Sequence, residues 1–310
     1  MREDILNHFR QTGTYTYAGL YADYFKSLPD DITQLGTLIC TQAVNAVILR
    51  HGNLHANADL KYGDMTKFPW HRMRHEDDVF ITAHAMIGEL FRLDDRGIIL
   101  DRDVADKITV SCRHVTVLMA SVIKAKGTPC RCRAGFSDYA HGRKIIDHWY
   151  NQIWDEKRGR WINTDASLFL DENVTGFDQF DIPDDRIDWA ADVWLDVRAG
   201  KKDGSKYVYV DGSGANSLEA IARQLIFDLH SLMNNELTYN FYPSFMYMDK
   251  FHRISEDVFQ EMDDLARLLQ SPDENFDKLV EIWNTNRRYR TINTPQINDW
   301  FHVNVDTKYL

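Results

Sequence analysis

Apolar residues fall into helical spacing along the first third of the chain. Asp30 and Asp31, after Pro29, precede Ile32, Leu35, Ile39, Ala43, Ala46 and Leu49, which predicts a capped helix stopping at Gly52. Residues 52 to 77 are polar and irregular, and residues 1 to 28 are tyrosine-rich and weakly patterned. A second stripe, Val79, Ala83, Met86, Ile87 and Leu90, predicts a helix over 78–93 that Gly97 closes. A third opens at Cys112 and runs through Val115, Met119, Val122 and Ile123 to Gly127 and Pro129. The period then changes from 3.6 to two. Cys130, Cys132 and Ala134 alternate with Arg131 and Arg133, the pattern of a strand with one face buried and the other in water. Segments 147–154 and 160–165 read as two more strands. Beyond residue 175 the helical period returns. Asn216 and Glu219 form a capping box ahead of Ile221, Leu225, Leu229 and Leu232. Val258, Met262, Leu265 and Leu269 follow Ser255, and after Pro272 come Phe276, Leu279, Val280 and Trp283.

These elements predict an α+β protein in three regions: an N-terminal helical extension over 1–77, a core over 78–175, and a mainly helical C-terminal cap over 176–310, packed on the core as one unit. The two middle strands allow a finer prediction. If Asp155 to Arg158 form the hairpin loop, Trp154 pairs with Gly159 and His148 lies opposite Asp165, with Cβ atoms about 4.5–5.5 Å apart. A register shifted by two would set the pair diagonally but keep both on one face.

Composition narrows the function. The chain has 310 residues, 44% of them hydrophobic, 12% aromatic and 27% charged, enough for a sizeable core. A net charge of −11 argues against nucleic acid or an anionic membrane as partner. No run of about 18 apolar residues occurs, and Met1, Arg2, Glu3 and Asp4 begin the chain with charge instead of an apolar leader. Four cysteines, Cys40, Cys112, Cys130 and Cys132, make no disulfide framework, so the chain reads as cytoplasmic. Cys130 and Cys132 lack a second thiol pair, and His51, His55, His71 and His75 lie in an irregular stretch without carboxylates spaced to complete a site. No metal and no cofactor is expected.

Three residues stand in settings that suit nucleophilic chemistry. Cys112 opens a helix, where backbone N–H groups and the macrodipole favour a thiolate. His148 on a strand is the candidate base, and Asp165 at the end of the next strand can orient it. Each also has a plainer reading: a small core cysteine, an ordinary buried histidine, an aspartate capping a turn. Arg113 can bind a substrate carboxylate bidentately or serve in an ion pair, the commoner use. It and Trp149 are the candidate substrate contacts. His114, a helical step away from Cys112, suits a solvated or packing role.

Ser111-Cys112-Arg113-His114, the apolar helix after it, and the run from Lys126 through Gly127, Pro129 and Cys130 to Gly135 and Phe136 resemble the cysteine segment of the transglutaminase-like superfamily. Asp147-His148-Trp149, Trp154-Asp155, Arg160-Trp161 and Thr164-Asp165 resemble its histidine and aspartate strands. The likeness covers about residues 105 to 168. More loosely, residues 194–198 and 228–236 look like the flanks of stand-alone bacterial members. The resemblance implies a papain-like core, with the nucleophile helix packed on an antiparallel sheet. Cys112 would be nucleophile, His148 base and Asp165 orienter. It implies acyl transfer or hydrolysis at an amide or thioester of a peptide or small molecule, without a cofactor. It also implies an oxyanion donor some tens of residues upstream, around Trp70, His71 or His75. Val110-Ser111-Cys112-Arg113 departs from the Gly-Gln-Cys-Trp block of crosslinking transglutaminases, and no acidic cluster resembles their calcium sites. Crosslinking is therefore disfavoured. The alternatives are a catalytically silent scaffold on the same fold and a zinc hydrolase built on the upstream histidines.

Overall fold

The computed structural model describes residues 1–45, 62–72, 79–140, 145–209, 217–239, 241, 243–246 and 248–290. Helices α1 (Glu3–Arg10), α2 (Ala22–Ser27) and α3 (Ile32–Cys40) precede strand β1 (Ala43–Val44). After α4 (Ala83–Leu93) and β2 (Ile108–Thr109) come α5 (Cys112–Ala125), β3 (Cys130–Ser137), β4 (Ile145–Asp155) and β5 (Arg160–Thr164). The remainder holds α6 (Glu172–Thr175), β6 (Asp188–Trp189), α7 (Ala190–Arg198), β7 (Tyr207–Val208), α8 (Ser217–Leu232), α9 (Glu256–Leu269) and α10 (Phe276–Thr285). The fold is α+β. Its main sheet runs β5-β4-β3-β6 with antiparallel neighbours, and β7 joins β4 in parallel. Strands β1 and β2 form a separate parallel pair. The main sheet thus takes two short strands from beyond residue 175. Among the described residues no helix is long and apolar enough to cross a membrane.

Helix α5 is the centre of the molecule. Its residues from Cys112 to Lys124 are all buried, polar ones included. Val115, Met119 and Val122 share one core with Cys130, Cys132, Ala134, Trp149 and Ile153 from the sheet. The helix stops as the sequence predicts. Gly127 takes φ +82°, its N–H bonds to Lys124 O at 2.9 Å, and Thr128 N–H reaches Ile123 O at 3.2 Å. That pair of reversed bonds satisfies the last carbonyls, and the left-handed residue it needs is glycine.

Several expectations are corrected. The first long helix ends at Cys40, because the Thr41 hydroxyl and the Gln42 amide both donate to Leu38 O, each at 2.7 Å. Ala43 and Val44 then enter β1, while Ala46, Leu49 and Gly52 lie outside the described residues. The helix expected over 78–93 begins at Ala83, since Thr82 caps it by accepting Ala85 N–H at 3.1 Å. Val79 is consequently 61% exposed. The first 28 residues hold α1, too short to announce itself by period, whose Ile5, Leu6 and Phe9 are buried. Of the capping box, Asn216 lies outside the described residues.

The outward face of β3 is not in water. Arg133 donates to both oxygens of Asp228 on α8, at 2.7 and 2.8 Å, and Arg131 reaches Asp273 between α9 and α10 at 2.5 Å. Both arginines are buried. Asp228 Oδ1 also accepts the Ala134 N–H at 3.0 Å, which closes the edge of β3. Buried charges need such complete pairing to be tolerated.

The hairpin register is two residues from the expected one. Asp155 pairs with Arg160 and Trp154 with Trp161, so the loop is Glu156 to Gly159. The turn chemistry explains the shift. Asp155 Oδ1 accepts the N–H groups of Lys157 and Arg158 at 2.9 and 3.0 Å, and Gly159 supplies a φ of +63°. His148 and Asp165 are therefore diagonal and not directly opposite, and Asp165 lies just past the end of β5. Sharing one face was the part of the prediction that depended only on parity.

Candidate active site

Ser111 is the N-cap position of α5, and its side chain makes no capping bond to the first turn. Its hydroxyl pairs instead with His114 Nδ1 at 2.9 Å, so His114, fully buried, has the packing role. Cys112 is thus placed where backbone N–H groups and the positive helix end meet. It is 7% exposed.

His148 and Asp165 are joined by a 2.7 Å bond from Nε2 to Oδ2, with both side chains buried. The two carboxylate oxygens are used differently. Oδ1 accepts the Ser167 N–H at 2.9 Å and the Ser167 hydroxyl at 2.6 Å, a local turn of the aspartate. Oδ2 accepts from His148 and, at 3.2 Å, from the Tyr139 hydroxyl. Asp165 thus makes its turn bonds and its bond to His148 at the same time. Its backbone is fixed by Gln179, which accepts its N–H at 2.8 Å and donates Nε2–H to its carbonyl at 2.8 Å. Opposite His148 on β3 is Gly135, where a Cβ would lie 2.8 Å from Asp188 O of the neighbouring strand. The glycine lets β6 approach.

Burial by itself would lower the His148 pKa. The Asp165 charge, then that of Cys112, together with hydrogen bonds to both side chains, overcome it and hold the ring well above its ordinary 6.5. Burial would raise the Asp165 carboxyl, but the His148 charge and bond and the two Ser167 bonds bring it below 3.8. With Nε2 on the carboxylate, Nδ1 is the nitrogen left for the sulfur. Burial pushes the thiols of Cys40, Cys130 and Cys132 up, that of Cys130 to about 12.

The remaining predicted contacts fall elsewhere. Arg113 is fully buried, donates to Ile81 O at 2.7 Å and to Glu236 O, and lies 4.7 Å above the Tyr15 ring. These bonds fix the start of α5 to its neighbours. Trp149 is also fully buried, packed on Phe227 at 5.8 Å. It alternates away from His148 and belongs to the core. His71 is exposed, and His51, His55 and His75 with the Trp70 side chain lie outside the described residues. Among the described residues no group of three or more His, Cys, Asp or Glu could hold a metal ion.

One neighbour was not foreseen. The Tyr239 hydroxyl stands 3.2 Å from Cys112 Sγ. Tyr239 follows α8 in an irregular segment, 127 residues beyond Cys112, and no periodicity marks it. Tyr139 was equally silent, whereas Ser167, two residues after Asp165, follows from the turn chemistry of aspartate. A cavity of about 400 Å³ lies elsewhere on the sheet, lined by Arg131, Arg133, Gln152 and Trp189 among others, and none of Cys112, His148 or Asp165 lines it.

Comparison with family models, curated proteins and solved structures gave no match.

Proposed function

We propose that this protein is a cysteine-dependent acyl transferase or hydrolase acting on an amide or thioester, with a transglutaminase-like, papain-like core. What supports the reading most is the 2.7 Å carboxylate–imidazole bond of Asp165 and His148, together with Cys112 at the head of α5, whose charge as a thiolate would add to that holding the ring up. In this reaction the Cys112 thiolate, its proton already resting on His148 Nδ1, bonds through Sγ to the carbonyl carbon. The carbonyl π pair moves to oxygen, held by the Cys112 N–H. Collapse breaks the bond to the amine or thiol leaving group, which takes the proton from His148. Water or an acceptor amine then releases the acyl group from sulfur. Asp165 keeps the ring oriented and stabilises its protonated form.

Iodoacetamide at mildly acidic pH, followed by peptide mapping, tests the thiol–imidazole pair. Cys112 is expected to alkylate ahead of Cys40, Cys130 and Cys132, and His148→Ala to abolish that preference. Labelling of Cys112 no faster than of the three buried thiols would favour the silent scaffold.

A further inference from the structure

The active-site reading supplies one oxyanion donor, the N–H of Cys112, and acyl transfer needs a partner for it. The upstream residues suggested by resemblance do not provide one among the described residues. A donor from the other direction is already in place. Tyr239 OH is 3.2 Å from Cys112 Sγ, and its ring is packed edge-on against Trp149 at 6.5 Å, Tyr209 at 6.0 Å and Phe227 at 6.2 Å. Three aromatic neighbours fix the ring, so the hydroxyl is aimed by the core and not by a mobile side chain.

We infer that the Tyr239 hydroxyl is the second oxyanion donor of this site, resting on the sulfur in the free protein and passing to the carbonyl oxygen as that oxygen gains charge. The inference rests on the acyl-transfer reading. The carbonyl oxygen is two bonds from the attacking sulfur, so it falls within the space the hydroxyl already reaches. As Sγ–C forms, the π pair becomes an alkoxide lone pair that accepts from Tyr239 O–H and Cys112 N–H. When the carbonyl re-forms, the leaving group departs with the proton from His148 and the phenol keeps its own. It can do so because burial first, then the charges of Cys112 and Asp147, hold its pKa well above the ordinary 10.0. The phenol is a donor throughout.

Two probes of the same sulfur separate this role from others. Iodoacetamide alkylates by displacement at a saturated carbon and develops no oxyanion. p-Nitrophenyl acetate acylates through one. In Tyr239→Phe, which keeps the ring, the acylation burst is expected to slow by roughly 10²–10³-fold relative to alkylation of Cys112, the usual loss of one oxyanion donor. Equal changes in both rates, in either direction, would mean a cap on the sulfur or a packing role and overturn the inference. No change in either rate overturns it too. A variant that had lost its fold would expose Cys40, Cys130 and Cys132 to iodoacetamide, and Tyr239→Leu then reads the ring's contribution to packing separately. If wild-type protein gives no burst above Cys112→Ser, the acyl-transfer reading itself fails, which is a different result from a normal burst untouched by Tyr239→Phe.

Discussion

Asp165→Asn keeps the shape of a side chain that is 1% exposed and removes its charge. The amide oxygen can still accept both Ser167 bonds, which are local and arise from the backbone turn. Its NH₂ group then faces His148 Nε2, where a carboxylate oxygen accepted at 2.7 Å. The ring retains a bond only with Nε2 unprotonated, which puts its proton on Nδ1, the nitrogen needed as base. One charge-assisted bond is lost, about 1.5–3 kcal/mol of stability. Turnover falls by roughly 10⁴-fold, the scale of the same change in a serine triad. The pH dependence has a definite sign. Asp165 is lowered on folding, so its contribution is present above 3.8 and fades as pH falls through the folded value. His148 is raised, so its contribution is full below 6.5 and fades as pH rises through the folded value. Urea unfolding of both proteins should therefore differ most between 3.8 and 6.5 and converge on either side. NMR titration of the imidazole should show a lower pKa in Asp165→Asn, where burial is opposed by less negative charge. An unchanged His148 titration, or a stability gap independent of pH, would refute this account of the pair.

Other outcomes follow from the same structure. Arg133→Met strands the Asp228 carboxylate in the core and costs about 3–5 kcal/mol in urea unfolding, the range for a broken buried pair. Adding Asp228→Leu recovers only part of that, because the Ala134 N–H, now 3.0 Å from Asp228 Oδ1, is left without an acceptor. Gly159→Ala has open space for its Cβ, so only the positive φ opposes it. A loss of about 1–2 kcal/mol is expected, with no change in Cys112 alkylation.

The parts of the fold read correctly from sequence are those set by local rules. Helix α5, its glycine stop and the β3 alternation follow from period and capping within a few turns. The turn of Asp155 decided the hairpin register against the simplest loop, yet His148 and Asp165 kept to one face because alternation fixes parity. What escaped was long-range. Arg131 and Arg133 look solvent-facing until Asp273, 142 residues on, pairs the first and Asp228, 95 residues on, pairs the second. Tyr239 reaches the sulfur from a segment with no pattern of its own, and only the assembled core brings it there. Arg113 stands beside Cys112 in sequence, but one helical step of about 100° separates them, and its guanidinium is engaged by the carbonyls of Ile81 and Glu236.

The central claim is that the sulfur of Cys112 takes an acyl group. Incubation with a mixed peptide and thioester library, quenched in acid and followed by mass mapping, reads this directly. An acyl adduct on Cys112 is predicted, with none on Cys112→Ser and with slow formation in His148→Ala. A library that leaves Cys112 unmodified, or acylates another residue equally, would contradict it.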